Sequence, residues 1–317
     1  MIWWATLGDF EDSCGRIVEL RLDSNTFSTR ELVSYQPEPQ RAVPGKGFTG
    51  GFMLSNKRAL VCGFNAVYDV TEQGVKPYLV RDDFNDLHHI MVHKNKLWIA
   101  NTGLDRVDVF DQRGRYSGGY ALVPAAEEHH RVKAPLPDDP YFANENADTP
   151  LHRRRLPDQV HPNHTAVFGG RVLVTRFSER TIQATDTMET VFETPGHPHD
   201  GVVDNNQLWM TCTNGLIIAC GWSEDGTRLE EHHRIDVFAQ TGRWGWCRGL
   251  WVGQDTLLVG LTRITRMPRY RWCERPFEGT QTTALLLHKH TGEFIAEANL
   301  NDFGKHPKLF SLMGVGR

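Results

Sequence analysis

The chain repeats a short unit that opens on histidine. His88-His89 leads into Lys96-Leu97-Trp98-Ile99-Ala100-Asn101, and His161-Pro162-Asn163-His164 leads into Arg171-Val172-Leu173-Val174. His197-Pro198-His199-Asp200-Gly201 leads into Gln207-Leu208-Trp209-Met210-Thr211. Each unit reads as two short apolar strands joined by a Gly or Asn turn, which is how propeller blades show themselves in a sequence. Gly50-Gly51-Phe52-Met53-Leu54 and Cys247-Arg248-Gly249-Leu250-Trp251-Val252 open two further units. The sixth is split. The tail, Pro307-Lys308-Leu309-Phe310-Ser311-Leu312-Met313, is a strand with nothing after it to pair, and Ile2–Leu7 with Arg16–Leu22 are strands lacking an innermost partner. The expected fold is therefore all-β: a six-bladed β-propeller closed by pairing of the C-terminal strand with the N-terminal strands. It should occupy 1–317 as one domain. Closure also removes the open sheet edges that invite aggregation.

A chain of 317 residues is long for a single core but suits a ring of small repeated ones. The net charge of −4 argues against a general nucleic-acid binder, and no apolar run approaches the ~20 residues that span a bilayer. Met1-Ile2-Trp3-Trp4 lacks a basic start and meets Asp9, Glu11 and Asp12 too soon for a signal peptide, so a cytoplasmic location is expected. The six cysteines show no CxxC spacing and read as reduced, buried thiols. Cys247 is the exception, since it opens a blade and could reach the central channel.

Two segments interrupt the repeat, at about 124–160 and 263–282. The first is Pro-rich and polar; the second carries Arg263, Arg266, Arg269, Arg271 and Arg275 around Tyr270 and Trp272. In a four-stranded blade both kinds of connection lie at one end, so both insertions should overhang the face where the histidines emerge, like lids. Arg176, Arg248 and Arg263 fall at the same mouth. Guanidinium forks recognise carboxylate and phosphate, so these residues, with Asn101 and Asn214, are candidate contacts to a small anionic substrate. The competing reading pairs the arginines with acidic residues such as Glu179 and Asp105.

One blade-opening histidine alone would read as structural, bonded to a neighbour's backbone. Three consecutive blades with histidine at equivalent corners point instead to Fe, Zn or Mn, or to acid–base chemistry. Aligning the second strands groups His88, Asn163 and His199, and separately His89, His164 and Asp200. Successive strand residues face opposite ways, so the two groups should not contribute equally, unless the irregular strand start lets both reach the mouth. The candidate metal set is drawn from His89, His164, His199 and Asp200, with His88 and His197 as acid or base. His161 and His197 precede prolines and are placed on the loop side. Remaining histidines, among them His93, His152, His232, His233, His288 and His290, are expected at the surface or in the insertions.

Pro162-Asn163-His164-Thr165-Ala166-Val167 and His199-Asp200-Gly201-Val202-Val203-Asp204 resemble blade openings of the gluconolactonase and regucalcin family. That resemblance implies a six-bladed propeller, lactone hydrolysis, and Asn163 and Asp200 as ligands of a divalent cation. The chain departs from the family where His164 stands for its Gly and where Gly50-Gly51 stand in place of its metal-binding Glu. Histidine in the set shifts preference from Ca²⁺ toward transition metals. The expectation is a metal-dependent hydrolase acting on a small anionic molecule. A non-haem iron oxygenase or a metal-dependent lyase is the alternative chemistry, and a non-catalytic binding scaffold the alternative class. A scaffold should display a broad apolar patch instead of a His/Arg mouth.

Overall fold

A computed structural model describes residues 1–123, 148–157, 159–264 and 278–316. His129, His130, Arg266, Arg269, Tyr270, Arg271, Trp272, Cys273 and Arg275 lie outside the described residues, as does most of both insertions.

Among the described residues, twenty-four strands form six four-stranded antiparallel sheets. Blade one joins β24 (Pro307–Val315) to β1 (Ile2–Asp9), β2 (Gly15–Asp23) and β3 (Thr26–Tyr35). Blade two is β4 (Gly51–Ser55), β5 (Arg58–Cys62), β6 (Ala66–Thr71) and β7 (Gly74–Val80). Blade three is β8 (Leu87–His93), β9 (Lys96–Asn101), β10 (Arg106–Asp111) and β11 (Tyr116–Ala121). Blade four is β12 (Pro162–Phe168), β13 (Arg171–Arg176), β14 (Thr181–Ala184) and β15 (Thr190–Glu193). Blade five is β16 (Pro198–Asp204), β17 (Gln207–Cys212), β18 (Leu216–Trp222) and β19 (Leu229–Asp236). Blade six is β20 (Trp246–Val252), β21 (Thr256–Thr262), β22 (Thr283–His288) and β23 (Phe294–Asn299). The expected six-bladed propeller is the observed fold, and the tail closes it as the innermost strand of the first blade.

Local chemistry makes the hairpins. Lys94-Asn95, Gly169-Gly170 and Asn205-Asn206, which join the first two strands of blades three to five, all have two successive positive φ angles. That is the twist a two-residue hairpin turn needs, and Asn and Gly tolerate it best. Six apolar clusters then fill the spaces between neighbouring blades. Trp4, Ile17 and Phe48 pack with Val61 and Tyr68 between blades one and two, and Leu258, Leu286 and Leu309 pack with Trp3 and Leu20 between six and one. The innermost strands pack in the cyclic order β4, β8, β12, β16, β20, β24 and back to β4, so their starts surround one axis.

Cys62, Cys212 and Cys220 are buried free thiols, as expected. Cys247 departs from expectation: it is fully buried with Trp209, Ile217 and Leu250 in the core between blades five and six, where burial pushes its thiol well above the ordinary range. Successive strand residues face opposite ways, so Arg248, next to the inward-packed Cys247, takes the channel side. Among the described residues no helix is long and apolar enough to cross a membrane.

Candidate functional site

The mouth is shaped by a repeated irregularity. In β8 the pairing steps from Leu87–Asn101 to His89–Ala100 and leaves His88 outside the ladder. In β12 Asn163 and His164 together oppose Thr175, and in β16 His199 and Asp200 together oppose Thr211. Gly249 of β20 and Phe310 of β24 are likewise left outside their ladders. Each bulge places an extra residue at the mouth end of an innermost strand, which re-aims side chains that strict alternation would send to opposite faces. Both expected groups therefore meet residues of other blades. They do so in two tiers.

The outer tier surrounds His88. Its ring lies 4.8 Å from that of His161, 6.2 Å from that of His199 two blades away, and 6.0 Å from Phe310. His88 Nδ1 stands 2.8 Å from the Asp86 carbonyl oxygen, which can only accept, so the ring proton sits on Nδ1 and Nε2 keeps its lone pair. His199 Nδ1 donates to Asp200 Oδ2 at 2.6 Å, and His197 Nδ1 to the Phe177 carbonyl at 2.8 Å. His88 and His199 thus hold a proton on Nδ1 and turn Nε2 outward from those bonds. Burial pushes His88 well below the usual imidazole range, against the pull of Asp86, and lowers His199 against that of Asp200. Both are neutral at physiological pH.

Carboxylates support this tier. Burial would raise Asp200, but the His199 and His164 imidazoles and the Gly249 N–H, which donates to Oδ2 at 2.7 Å, hold it at about 2. Burial would raise Asp86 as well, yet Lys46 at 2.7 Å and the adjacent imidazoles keep it well below the carboxylate range. Asp105 accepts the backbone N–H groups of Gln159, Val160 and His161. That clamp holds His161 at φ 54°, a left-handed conformation uncommon for histidine, and so sets its ring against His88.

The inner tier is His89, His164 and Asp200. The His89 and His164 rings lie 3.7 Å apart, centre to centre. The Thr165 N–H donates to His89 Nδ1 at 3.3 Å, which puts that ring's proton on Nε2, opposite to His88. Burial, then the neighbouring His164, depresses His89, and burial takes His164 down to about 4. His164 Nδ1 is buried 4.0 Å from Asp200 Oδ1 and hydrogen bonds to nothing among the described residues. Asn163 donates to the Pro198 carbonyl, while its Oδ1 is buried with no hydrogen-bond partner among the described residues. As placed, no three His, Cys, Asp or Glu side chains among the described residues could hold a metal ion.

The proposed substrate contacts divide. Arg248 is buried at the mouth, its guanidinium 4.0 Å above the Trp246 ring. Arg176 is paired with Glu179 at 2.8 Å, and Arg263 donates to His306, whose other nitrogen meets Glu11. Asn101 is enclosed in its own blade, bonded to Asn85, Asp83 and Asp108. Asn214 donates to the Pro195 carbonyl. His152 meets Asp82 at 3.5 Å, and its carbonyl accepts from Asn65, which ties the end of the first insertion to blade two.

Reading the sequence placed His161 on the loop side and named Asp105 only as a possible partner for arginine; it missed Asp86, Trp246, Lys308 and Phe310. A signal existed for Phe310: Lys308-Leu309-Phe310-Ser311-Leu312 aligns with Asp86-Leu87-His88-His89-Ile90, which puts Phe310 at the His88 place. Nothing local marks Asp105, whose partners follow it by more than fifty residues.

No protein-family model matches the chain, and no curated protein matches its sequence. Solved structures do match its fold. A protein of unknown function from Bacteroides caccae is 9% identical, covers 100% of both chains and superposes with a TM-score of 0.61. A chain of the nidogen/laminin complex is 11% identical over 98% of this chain and 97% of its own, with a TM-score of 0.57. A "putative 6-phosphogluconolactonase" from Bacteroides uniformis is 14% identical over 93% and 81%, at 0.51. At such identities the likeness is one of propeller architecture.

Proposed function

We propose that the chain is a metal-dependent enzyme that acts on a small anionic molecule at the channel mouth, with hydrolysis as its reaction class. One observation supports this reading: His88 and His199 have their Nδ1 protons engaged by an oxygen acceptor, which orients each ring and keeps the Nε2 lone pair for a ligand bond. Metal-ligating histidines are oriented in this way, commonly by a carbonyl or carboxylate behind the ring. His88 and His199 are the proposed nitrogen ligands; since no three such side chains among the described residues are placed to hold an ion, a further ligand would have to move toward them on binding. The bound ion would polarise a carbonyl or activate a water.

The pair implied by the gluconolactonase resemblance fits in part. Asn163 Oδ1 is buried and open, as an oxygen ligand should be, whereas Asp200 Oδ2 already accepts from His199 and Gly249. Asp200 then acts behind His199: it holds the ring's orientation and stabilises any positive charge the ring acquires. Asp86, through its carbonyl, does the same for His88. Arg248 orients the substrate's anionic group. A nitrogen-rich set favours iron, zinc or manganese over calcium, and iron at this site would turn the reading toward O₂ chemistry.

Elemental analysis of protein prepared without a His-tag tests the proposal. Near-stoichiometric metal is expected, with most of it lost in His88→Ala and His199→Ala variants that keep the wild-type circular dichroism. Full metal content in both variants, or no uptake on anaerobic reconstitution, would leave the histidines as acid–base or structural groups and bring the scaffold reading forward.

A further inference from the structure

The segment that enters blade two grips three consecutive residues of blade three, the last of them His88. Lys46 Nζ meets the Asp86 carboxylate oxygens at 2.7 and 2.8 Å. Thr49 Oγ1 donates to the Leu87 carbonyl at 2.6 Å, and the Gly50 N–H donates to the His88 carbonyl at 2.9 Å. The Leu87 N–H in turn donates at 3.1 Å to the carbonyl of Phe64, which lies between β5 and β6. These contacts fall where β8 is irregular. The bulge leaves His88 outside the β8–β9 ladder, and Asp86 stands at φ 51°, a left-handed conformation that costs a non-glycine residue energy. A strand start of this kind persists only when its surroundings hold it, and here the neighbouring blade does so.

Gly50 is the residue that permits the close approach. A Cβ there would lie 2.1 Å from the His88 carbonyl oxygen and 2.9 Å from His89 Cα, so a larger residue must push the β8 backbone away. Both obstacles are backbone atoms, which cannot swing aside. The imidazole follows that backbone, because His88 Nδ1 donates to the Asp86 carbonyl two residues back at 2.8 Å. Moving either end of so short a link turns Nε2 from its place in the outer tier. The next glycine gives the contrast: a Cβ on Gly51 would meet Met313 Sδ at 2.8 Å, near the far end of a flexible side chain. We propose that segment 46–50 is the positioning element for His88, with Gly50 the residue on which it depends. It adds no group to the chemistry and fixes the direction of the His88 lone pair. The inference deepens the enzymatic reading of the mouth and rests on it for the use to which that lone pair is put.

The test uses the metal-free full chain with isotope-labelled histidine and long-range proton–nitrogen NMR at neutral pH, His88→Gln identifying the His88 signals. In the wild type His88 should show the Nδ1-protonated tautomer and a slowly exchanging Nδ1–H. Gly50→Ala should speed that exchange by about tenfold or more, whereas Gly51→Ala should leave exchange and tautomer unchanged. The second variant adds the same methyl group one residue along, so it reports what crowding of the core does by itself. Thr49→Val removes the hydroxyl bond to Leu87, should act in the same direction as Gly50→Ala, and decides the matter should that variant fail to fold. Titration with cobalt(II) then examines how the lone pair is used: Gly50→Ala should bind the ion about tenfold more weakly than the wild type, and Gly51→Ala should match it. A wild type that takes up no cobalt would refute the metal reading and leave the exchange result standing. Wild-type exchange and tautomer at His88 in Gly50→Ala, or their equal disturbance in Gly51→Ala, would overturn the positioning proposal.

Discussion

His164 shows what burial does to a single side chain. An imidazole with an ordinary value of 6.5 is taken down to about 4 because its charged form would have to leave water, and His88 and His89 are lowered by the same cause. The unfolded chain therefore binds more protons than the folded one between about pH 6.5 and 4, so stability rises with pH across that window. In metal-free protein the urea midpoint should be level above pH 7 and fall as the pH drops from 6.5 toward 4. His164→Gln should make that fall shallower. A midpoint unchanged through the window would mean that these rings are not buried as neutral imidazoles. Asp200, held at about 2 in the fold, adds a second loss at lower pH: below the ordinary carboxylate value of 3.8 the unfolded chain takes up this proton while the folded one does not, until about pH 2.

At the scale of the strand, the bulge is the functional device. Thr211 Oγ1 accepts the Asp200 N–H at 3.1 Å, and Thr175 Oγ1 accepts the His164 N–H at 2.9 Å, which satisfies the backbone groups that the broken ladders release. Thr211→Val keeps the shape and removes the acceptor. It should cost about 1–3 kcal/mol in urea unfolding, and the metal content should fall as Asp200 and His199 lose their placement. Thr190→Val, at an exposed position on β15, should stay within about 0.5 kcal/mol. Gly249 supplies the same turn in β20 by another means. Its φ is +60°, and a Cβ there would come 2.7 Å from Leu309. Gly249→Ala should cost about 1–3 kcal/mol by the same assay, through strain and that clash. The histidine pairs at these openings were legible in the sequence. Whether both members of a pair would reach the mouth was left open by the irregular strand start, and the bulges decided it, since a bulge of this kind carries no residue signature of its own.

For the whole molecule, the decisive feature is the closing strand. β24 pairs with β1 from Ile2–Val315 through Asp9–Pro307 and carries Leu309 and Leu312 into the core between blades six and one, and Met313 into that between one and two. Each such side chain contributes about 1.5–3 kcal/mol by burial. Losing all three approaches the about 5–15 kcal/mol that holds a typical domain together. A chain ending before Pro307 should lose its cooperative thermal transition and bind a hydrophobic dye. Retention of a cooperative transition by that truncated chain would show that closure is dispensable. The same strand delivers Phe310 to the mouth, where its ring meets His88 edge-on.

Fold class and blade count were determined by the sequence itself, because strand alternation and left-handed turns such as Asn205-Asn206 act between near neighbours. The divided blade could be read too, from strands at each end that had no partners. The tertiary structure decided which histidines share a tier and which face Arg248 takes. It also decided that Arg176 is paired with Glu179 and that Asp105 bends His161 toward His88. The reason is geometric: those relations join residues from different blades, and their spacing is set by the closure of the ring and the bulges at its rim.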